Sequence, residues 1–566
     1  MNKSNSALTG AQLFASAFRR HGVKCVFGQS IPSAFFLAAP EFGIRQLGYR
    51  TENAGAAMAD AYARISGHVA VVAAQNGPAA TLLVPGLAEA FKASIPVVAL
   101  VQDVHRAQVD KNAFQELDHL DLFRGCTKWI RRVASADRID DYVDMAFTVA
   151  SSGRPGPVVL LAPFDLFEDM AQQSGRTAQI GKFPLDRPVA DPAQIQRAAA
   201  LLCEAKRPLV VAGGGVHSSQ ACAELAALQD AASLPVATTT MGKGAVDERH
   251  PLSVGIIGYF MGQRGMAKGM RHMVDEADVV LLIGTRTNQN GTDSWTLFRP
   301  GKTFIHLDID PAEIGRNYEA LRLLGDAKTT LAALTQAMTA QGLKTRSAGR
   351  AGFEAAIAAG RKVHAAEAQS VVGSAAAPIR PERIMGELQN VLTDRMIVVS
   401  DASYASIWTS NYLTSQRAGA RFLTPRGLAG LGWGLPFALG AKAAAPESPV
   451  ICVAGDGGFA HVWSELETSR RLDLPVTIII LNNQILGYQL HAETLLFGKH
   501  TDVCNFQPVD HAAIARACGC EGIRIEEPDR LLPAIKQALA SPITTLLDVV
   551  TDPNAFPPVT AFDKLK

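Results

Sequence analysis

Short segments of continuous apolar residues recur along most of the chain. Each is followed by a glycine or polar turn and then by apolar positions at helical spacing. Strands buried on both faces are apolar throughout, so this pattern is typical of parallel sheets covered by helices. It predicts an α/β protein built from doubly wound parallel-sheet domains. The predicted strands are residues 69–74, 95–101, 157–162, 208–212, 279–283, 303–309, 396–399, 449–454, 476–481 and 545–550.

Two stretches interrupt the pattern and are interpreted as domain boundaries. Residues 165–192 lose apolar periodicity and are rich in Gln, Gly, Asp and Pro, whereas residues 342–381 mix basic residues with Ala. A chain of 566 residues is long enough for three or four domains at roughly 150 residues each. We predict three α/β domains, at residues 1–185, 190–345 and 375–566.

Composition and charge exclude several classes of protein. The formal charge of +1 excludes a protein that binds nucleic acid through bulk positive charge. Hydrophobic residues make up 48% of the chain, so it can bury large cores. Residues 1–10 are polar, and no apolar run approaches the ~18 residues that span a bilayer. Eight scattered cysteines fit reduced thiols, and together these features predict a cytoplasmic enzyme without a membrane partner.

The strongest local signal is an acidic turn after the predicted strand at residues 449–454. The turn is Gly455-Asp456-Gly457-Gly458. A helix is predicted next, because apolar residues follow at helical spacing. These residues are Phe459, Val462, Trp463 and Leu466. Asp456 is therefore expected at the carboxyl end of a strand and beside a helix N-terminus suited to phosphate.

A second predicted strand, residues 476–481, delivers Asn482 and Asn483 to the same sheet edge. Divalent cations such as Mg²⁺ prefer oxygen ligands and are often shared with phosphates. The carboxylate of Asp456 and the amide oxygen of Asn483 supply such ligands and leave positions for a diphosphate. A Gly-Asp-Gly turn alone is common, but the Asn pair after the next strand makes a cation site a specific prediction.

This pattern resembles the thiamine-diphosphate motif, in which Gly-Asp-Gly and Asn-Asn are separated by a spacer of similar length. The resemblance implies that Asp456, Asn483 and the backbone carbonyl of Ile485 hold Mg²⁺ against the diphosphate. It places the 375–566 domain at the diphosphate and the 1–185 domain at the pyrimidine ring. Further implied cofactor contacts are Gly455, Gly457, Gly458 and Gly487.

Residues 50–64 resemble the glutamate-bearing helix of thiamine enzymes, because Glu52 is followed by small residues and then by Tyr62-Ala63-Arg64. The cofactor needs a carboxyl group beside its aminopyrimidine ring to remove the thiazolium proton. The resemblance implies that Glu52 is this activating acid. Taken alone, Glu52 is better explained as a carboxylate favoured by a helix N-terminus. The small-residue pattern and the distant cation motif together favour the activating acid instead.

Further segments resemble the acetolactate (acetohydroxyacid) synthase group, in its order and over nearly the whole chain. They are residues 75–81, 87–90, 113–116, 126–129 and 151–158. In that group the corresponding Phe, Gln and Lys line the approach to the active site, which implies catalytic-site roles for Phe114, Gln115 and Lys128. A core Phe, a turn amide and a solvated Lys are the structural alternatives.

Two glycine-rich regions carry further implied contacts. Residues 426–436 resemble the loop whose bulky apolar residue holds the cofactor in a bent shape, which implies contacts from Gly430 and Leu431. In the central domain, Gly215 and Arg286 are candidates for an FAD or ADP site, although tight turns in any doubly wound domain also need glycine. Related enzymes bind FAD or ADP at such places or leave them empty, and the sequence does not decide between these.

Three departures from the group limit the assignment. Residues 27–33 differ from its Phe-Gly-x-Pro-Gly loop, and Thr51 precedes the glutamate where His is often found. Ala492 stands where the synthases carry a tryptophan that favours 2-ketobutyrate as acceptor. His491 and His500 lie near this gap and are expected to be packing or surface histidines.

The sequence thus resembles a thiamine-diphosphate and Mg²⁺ enzyme that decarboxylates a 2-oxo acid, with pyruvate as the first candidate, and performs carboligation. By the group's arrangement, Glu52 of one chain faces Asp456 of another, so a homodimer or homotetramer with interfacial active sites is expected. One alternative is a thiamine-dependent lyase or decarboxylase of another substrate, such as a 2-hydroxyacyl-CoA or a cyclic diketone. Another is a non-catalytic nucleotide-binding relative.

Overall fold

The computed structural model describes residues 7–565, apart from the side chain of Thr345, so residues 1–6 and 566 of the predicted outer domains lie outside the described residues. The strands are β1 (Ala7–Thr9), β2 (Cys25–Phe27), β3 (Arg45–Leu47), β4 (Ala70–Ala74), β5 (Val97–Asp103), β6 (Trp129–Arg132), β7 (Val158–Pro163), β8 (Met170–Gln172), β9 (Pro208–Ala212), β10 (Val236–Thr238), β11 (Ser253–Ile256), β12 (Val279–Ile283), β13 (Thr303–Asp308), β14 (Ala320–Leu324), β15 (Ile397–Ser400), β16 (Arg421–Leu423), β17 (Val450–Gly455), β18 (Thr477–Asn482), β19 (Glu521–Ile525) and β20 (Thr545–Val550).

The α-helices are α1 (Gly10–Arg20), α2 (Ser33–Ala38), α3 (Glu52–Ser66), α4 (Pro78–Ala93), α5 (His119–Arg124), α6 (Ile139–Ser151), α7 (Pro192–Glu204), α8 (Gly214–Ser218), α9 (Cys222–Ala231), α10 (Arg271–Asp275), α11 (Ala327–Gln341), α12 (Lys344–Val372), α13 (Pro381–Val391), α14 (Tyr404–Tyr412), α15 (Gly434–Ala444), α16 (Asp456–Phe459), α17 (Glu465–Leu472), α18 (Gly487–Phe497), α19 (His511–Ala517) and α20 (Leu531–Ala540). Short 3₁₀ helices lie at Ala39–Phe42, Arg106–Gln108, Ala136–Arg138, Phe164–Phe167, Thr240–Gly242, Lys268–Met270, Asn290–Thr292, Asp502–Cys504, Pro528–Arg530 and Thr560–Lys564.

The described chain divides into two compact units. Unit one contains residues 7–186, 425–447 and 462–476. Unit two contains residues 187–424, 448–461 and 477–565.

Unit one is built on a parallel sheet with strand order β3-β2-β4-β5-β7-β6, and β1 pairs with β8 in a separate antiparallel ribbon. The central strands β4, β5 and β7 are fully buried. Phe14, Phe18, Phe35 and Phe147 pack together in the core beside them. The chain leaves β2 toward β3 on one side and reaches β4 on the other, so the crevice between β2 and β4 is a topological switch point, where such sheets bind ligands.

Small residues let helices of unit one approach closely. A Cβ added at Gly86 of α4 would collide with Ala56 of α3, and one added at Gly440 of α15 would collide with the backbone of Met58. The residues that follow Glu52 in the sequence therefore pack closely against α4 and α15.

Unit two contains two parallel sheets. The first has strand order β11-β10-β9-β12-β13-β14, with its switch point between β9 and β12. Alternate residues of its strands enter separate hydrophobic clusters on the two faces: Leu281 lies in one, and Val280 and Leu282 in the other. The second sheet has order β16-β15-β17-β18-β20-β19, which repeats the topology of the unit-one sheet and places its switch point between β15 and β17.

All ten predicted strands are present, within two residues at each end, and the prediction of three doubly wound parallel-sheet domains is confirmed. Residues 342–381, interpreted as a boundary, contain the long helix α12, which the sequence analysis did not predict. Ala, Lys, Arg, Glu and Gln are strong helix formers even without a clear apolar stripe. The single helix predicted after Gly458 is two pieces, α16 and α17. Within residues 7–565, no helix combines the length and apolar character needed to cross a membrane.

Candidate active site

Asp456 joins two neighbouring loops at the switch point of the second sheet of unit two. It directly follows β17, and its buried carboxylate accepts hydrogen bonds from the N–H groups of Gly457 at 2.9 Å and Gln484 at 2.7 Å. Gln484 belongs to the loop after β18, so the two predicted cation loops meet as expected. Burial raises the pKa of Asp456 to about 6, since a buried carboxylate loses hydration.

Asn483 and Ile485 supply further oxygens on the same loop. The side-chain oxygen of Asn483 accepts a hydrogen bond from the Ile485 N–H at 3.3 Å. Ile485 lies opposite Asn505 in an antiparallel bridge whose hydrogen bonds are made by the residues on either side of Ile485. In that geometry the Ile485 carbonyl points away from residues 504–506. Asn482 has a different role, because its amide donates to Asp548 and to the Val509 carbonyl inside the sheet.

Different local contacts explain why glycine occupies each of these loop positions. A Cβ at Gly457 would lie 2.8 Å from the Phe506 ring, and one at Gly487 would lie 2.8 Å from the Tyr404 ring, so packing requires both. Gly458 is buried in α16. Gly455 borders open space, with no described atom within 4 Å of an added Cβ. The loop after β17 therefore leaves room for a ligand beside Asp456.

Next to this loop, His491 of α18 is buried against aromatic rings. Its Nδ1 lies 2.5 Å from the Tyr404 hydroxyl, and its ring stacks on Tyr404 and contacts Phe556 and Phe562. Burial lowers the pKa of His491, which favours the neutral ring. His500 is exposed. The expectation of a packing and a surface histidine is confirmed.

In unit one, Glu52 is the first residue of α3, and the hydroxyl of Thr51 caps the helix by accepting from the Ala54 N–H at 3.4 Å. The Glu52 side chain is 7% exposed. Burial raises its pKa, opposed by a hydrogen bond from its own backbone N–H. The carboxyl group therefore keeps a proton to higher pH than an exposed glutamate, which suits a group that exchanges protons.

Glu465 of α17, which the sequence analysis missed, holds the segment that leads into Glu52. It is fully buried, and its carboxylate accepts from the N–H groups of Arg50 at 3.0 Å and Thr51 at 3.2 Å. The hydroxyl of Thr468 donates to its other oxygen at 2.7 Å. Nothing in the local sequence marks Glu465, because the backbone groups that it binds, at Arg50 and Thr51, lie more than 400 residues away.

Gln115 lies against the turn before α4. Its backbone is left-handed, with φ of 61°, and its side-chain oxygen accepts from Gln75 at 2.8 Å, while Asn76 donates to its backbone carbonyl at 3.0 Å. A Cβ at Gly77 would lie 2.6 Å from the Gln115 Cβ, so the turn requires glycine. Phe114 is 82% exposed in this chain.

His119, also missed from the sequence, fixes that turn. Its Nε2 accepts from the Gly77 N–H at 3.0 Å, so Nδ1 carries the hydrogen that is donated to Asp103 at 3.1 Å. Burial would raise the pKa of Asp103, but the bond from His119 and the charge of Arg132 together lower it. The ionised Asp103 thus holds one tautomer of a buried histidine.

Lys128 lies elsewhere in unit one. Its ammonium group donates to the backbone carbonyls of Val149 and of Ser152, the latter at 2.9 Å, where α6 ends. These contacts stabilise the C-terminus of α6. Gln115 instead contacts Gln75 and Asn76, so the two residues bind different parts of unit one.

The glycine-rich loop before α15 also belongs to unit one. A Cβ at Gly430 would lie 2.6 Å from the Trp433 Nε1, and Gly432 has φ of 85°, so both positions require glycine. Leu431, between them, is half-buried.

In unit two, Gly215 and Arg286 follow the strands at the switch point of the first sheet. The N–H of Gly215 donates to the Gly284 carbonyl at 3.0 Å, and a Cβ at Gly215 would lie 2.6 Å from the Gly284 Cα. Close backbone packing therefore accounts for this glycine. Arg286 is half-buried on the adjoining loop.

Comparison with protein families matches three segments of the chain to thiamine pyrophosphate enzymes. Residues 8–122 match the N-terminal thiamine pyrophosphate-binding domain, residues 195–334 the central domain and residues 401–549 the C-terminal thiamine pyrophosphate-binding domain. The chain is 34% identical to the probable acetolactate synthase large subunit of Methanocaldococcus jannaschii, over 96% of this chain and 92% of the relative.

The chain belongs to the thiamine pyrophosphate enzymes. It is also 31% identical to the acetolactate synthase isozyme 2 large subunit of Escherichia coli K12, over 96% of both chains, and 32% identical to the acetolactate synthase large subunit of Parasynechococcus marenigrum, over 96% of this chain and 87% of the relative. The predicted resemblance is confirmed. The predicted enzyme class, a thiamine-dependent carboligase or lyase, is confirmed as well.

The residues of this thiamine pyrophosphate enzyme fit the cofactor that its family binds. Asp456, Asn483 and Ile485 present three oxygen donors of the kind that Mg²⁺ prefers. The Asp456 carboxylate accepts two backbone hydrogen bonds and has about four lone-pair sites, so acceptor capacity remains for a cation. Open space beside Gly455 can take a phosphate group.

Proposed function

We propose that the chain is a thiamine-diphosphate- and Mg²⁺-dependent enzyme that decarboxylates pyruvate and joins the remaining two-carbon unit to a second 2-oxo acid, as an acetolactate synthase does. The observation that carries this proposal is the similarity to acetolactate synthase large subunits along 96% of the chain. The hydrogen bond that joins the Asp456 carboxylate to the loop of Asn483 and Ile485 supports it, and so does the burial of Glu52.

The proposed roles of the residues follow from their surroundings. Asp456, Asn483 and the Ile485 carbonyl hold the cation and, through it, the diphosphate. Leu431 is a further proposed cofactor contact. Glu52 holds a proton at its carboxyl oxygen and exchanges it with the aminopyrimidine ring. When bound, thiamine diphosphate supplies a carbon nucleophile for the keto group and an electron sink for the loss of carbon dioxide.

We propose pyruvate as acceptor as well as donor. Ala492 stands where synthases that prefer 2-ketobutyrate carry a tryptophan, so that preference is not expected here. Two pyruvate anions and one proton then give one acetolactate anion and one carbon dioxide, because one carbon–carbon bond breaks, another forms and the new alkoxide is protonated. Proton uptake should therefore equal carbon dioxide release.

We further propose a homodimer or homotetramer with active sites between subunits. The exposed Phe114, and Leu117 at 44% exposure in the same segment, support a surface that a second copy covers. Phe114, Gln115 and Lys128 remain proposed residues of the active-site approach. Sedimentation analysis tests the proposed oligomeric state, and a fully active monomer would contradict it.

The remaining predictions stay proposals as well. The domains are placed at residues 1–185, 190–345 and 375–566, and the protein is placed in the cytoplasm. FAD or ADP is proposed near Gly215 and Arg286, although packing already accounts for the glycine. The visible absorbance of the purified protein tests for flavin, and mass spectrometry of the denatured protein tests for either nucleotide.

Product analysis tests the proposed reaction. The purified protein, with thiamine diphosphate and Mg²⁺, is offered a panel of 2-oxo acids, and products are identified by mass spectrometry. Acetolactate from pyruvate supports the proposal, and a simple aldehyde or cleavage of a 2-hydroxyacyl-CoA or cyclic diketone supports a lyase instead. Glu52→Gln is the matched control, because its side chain has the same size.

A further inference from the structure

Glu89 of α4 binds the glycine-rich loop of unit one through a fully buried carboxylate. The side chain is 0% exposed, and it accepts hydrogen bonds from the N–H groups of Gly427 at 2.6 Å, Leu428 at 2.5 Å and Ala429 at 3.2 Å. A buried carboxylate is costly unless hydrogen bonds replace its hydration. These three consecutive N–H groups provide that replacement, so the loop and Glu89 depend on each other.

The loop runs directly against α4 at this point. A Cβ added at Gly427 would collide with the Glu89 backbone carbonyl and would lie 2.9 Å from its side-chain Cδ. Only glycine allows the backbone to approach so closely. The position of the loop is therefore defined by backbone contact as well as by the carboxylate.

Ala429 has a left-handed backbone with φ of 61°, which is unfavourable for a residue with a Cβ. Its N–H is the third donor to Glu89. The carboxylate thus holds a strained residue two positions before Leu431. Without Glu89, Ala429 is expected to relax to negative φ and to displace Leu431.

Charged groups around Glu89 connect it with two further helices. Asp60 and Arg64 of α3 form an ion pair at 2.5 Å, and Glu89 lies close enough for its charge to raise the pKa of Asp60, together with the larger effect of burial. The Arg64 guanidinium lies 5.0 Å from the ring centre of Phe437 on α15, the helix that follows the loop. Glu89 therefore lies where α3, α4 and the loop before α15 meet.

We propose that Glu89 is a positioning residue that holds residues 427–429 in the conformation that presents Leu431 to the cofactor. The inference rests on the proposed function, because Leu431 is a cofactor contact there. Glu89 lies in residues 87–90, which resemble the synthase group, but that resemblance assigned it no role, and its partners lie 338 to 340 residues away.

The first test compares Glu89→Gln with wild type in the full-length protein, by hydrogen–deuterium exchange without cofactor and by calorimetric titration of thiamine diphosphate with Mg²⁺. The variant should exchange residues 427–429 at least about tenfold faster, because it loses charge-assisted hydrogen bonds. The Kd of the cofactor should rise by about the same factor, while kcat at saturating cofactor should fall less. Glu89→Asp, which keeps the charge on a shorter side chain, should be intermediate and serves if Glu89→Gln does not fold.

The second test is rescue. Glycine adopts positive φ without strain, so Ala429→Gly in the Glu89→Gln background should restore part of the cofactor affinity. A purely structural role of Glu89 elsewhere in the fold would not be rescued at residue 429. Asp140→Asn is the matched control, because Asp140 is a buried carboxylate of the same unit that accepts from Arg20 at 3.0 Å and Ser174 at 2.6 Å. It should lower stability without changing loop exchange or cofactor affinity.

Unchanged exchange at residues 427–429 in Glu89→Gln would overturn the proposal, and so would faster exchange with unchanged cofactor Kd. Absence of rescue by Ala429→Gly would show that the strained backbone is not what Glu89 holds, which also overturns it. If wild type binds no thiamine diphosphate, the proposed function fails and Glu89 has no cofactor role, even where exchange shows that the carboxylate holds the loop.

Discussion

Replacing Glu52 by Gln should separate the chemistry of this site from its stability. Among the described residues, the Glu52 carboxylate has no side-chain partner, and its hydrogen bond comes from its own backbone N–H. An isosteric amide therefore loses no tertiary hydrogen bond, and the free energy of unfolding should change by less than about 0.5 kcal/mol. The amide cannot exchange a proton as the carboxyl group does, so turnover should fall about 10²- to 10⁴-fold. That range corresponds to about 2.7–5.4 kcal/mol in the activation barrier.

Three measurements on the same preparation check this expectation. Carbon dioxide release from pyruvate at saturating cofactor gives kcat, and urea denaturation gives the free energy of unfolding. Deuterium exchange at the reactive carbon of bound thiamine diphosphate, followed by NMR, reports the proton transfer directly and should slow in parallel with kcat. Glu41→Gln, at an exposed glutamate of the same unit, should change none of the three.

Two results would refute the reasoning. Unchanged turnover would exclude Glu52 as the activating acid. A loss of turnover with normal deuterium exchange would place the function of Glu52 in a step other than proton transfer.

Further predictions address the cation, the approach to Glu52 and Lys128. Burial raises the pKa of Asp456 to about 6, so protons should compete with Mg²⁺ below that pH. The Kd for Mg²⁺ should therefore rise about tenfold per pH unit below pH 6 and level off above it. Calorimetry over a pH series measures this dependence, and the same pH profile in Asp456→Asn would contradict the prediction. Glu465→Ala leaves two backbone N–H groups unpaired and should lower the free energy of unfolding by about 2–6 kcal/mol. Glu465→Gln still accepts hydrogen bonds from these groups, so its loss of unfolding free energy should be smaller. Equal losses of the two variants in urea denaturation would argue against these bonds. Lys128→Met should lower stability by about 1–2 kcal/mol and leave the KM for pyruvate within about twofold, and a raised KM at unchanged stability would instead support a place in the active-site approach.

Ten of the twelve inner strands of the three sheets could be predicted from the sequence, because burial on both faces demands continuous apolar residues. The two inner strands that were missed, β2 and β10, have only three residues each. The edge strands β3, β6, β11, β14, β16 and β19 were not predicted. Most are short or partly exposed, as in β14 and β19, so their residues lack a continuous apolar run. Residues 342–381, interpreted as a boundary from their composition, lie between the matched central and C-terminal domains and also contain the unpredicted helix α12.

The sequence by itself also determined where the proposed cation ligands and Glu52 lie in the fold, because each follows a strand or begins a helix whose pattern is local. Only the tertiary structure revealed Glu89, Glu465 and His119. Each is an ordinary polar residue in its own segment, and its function is to accept backbone N–H groups of a loop distant in the chain. Such bonds depend on which backbone groups remain unpaired after the helices pack, and no local pattern of side chains records that.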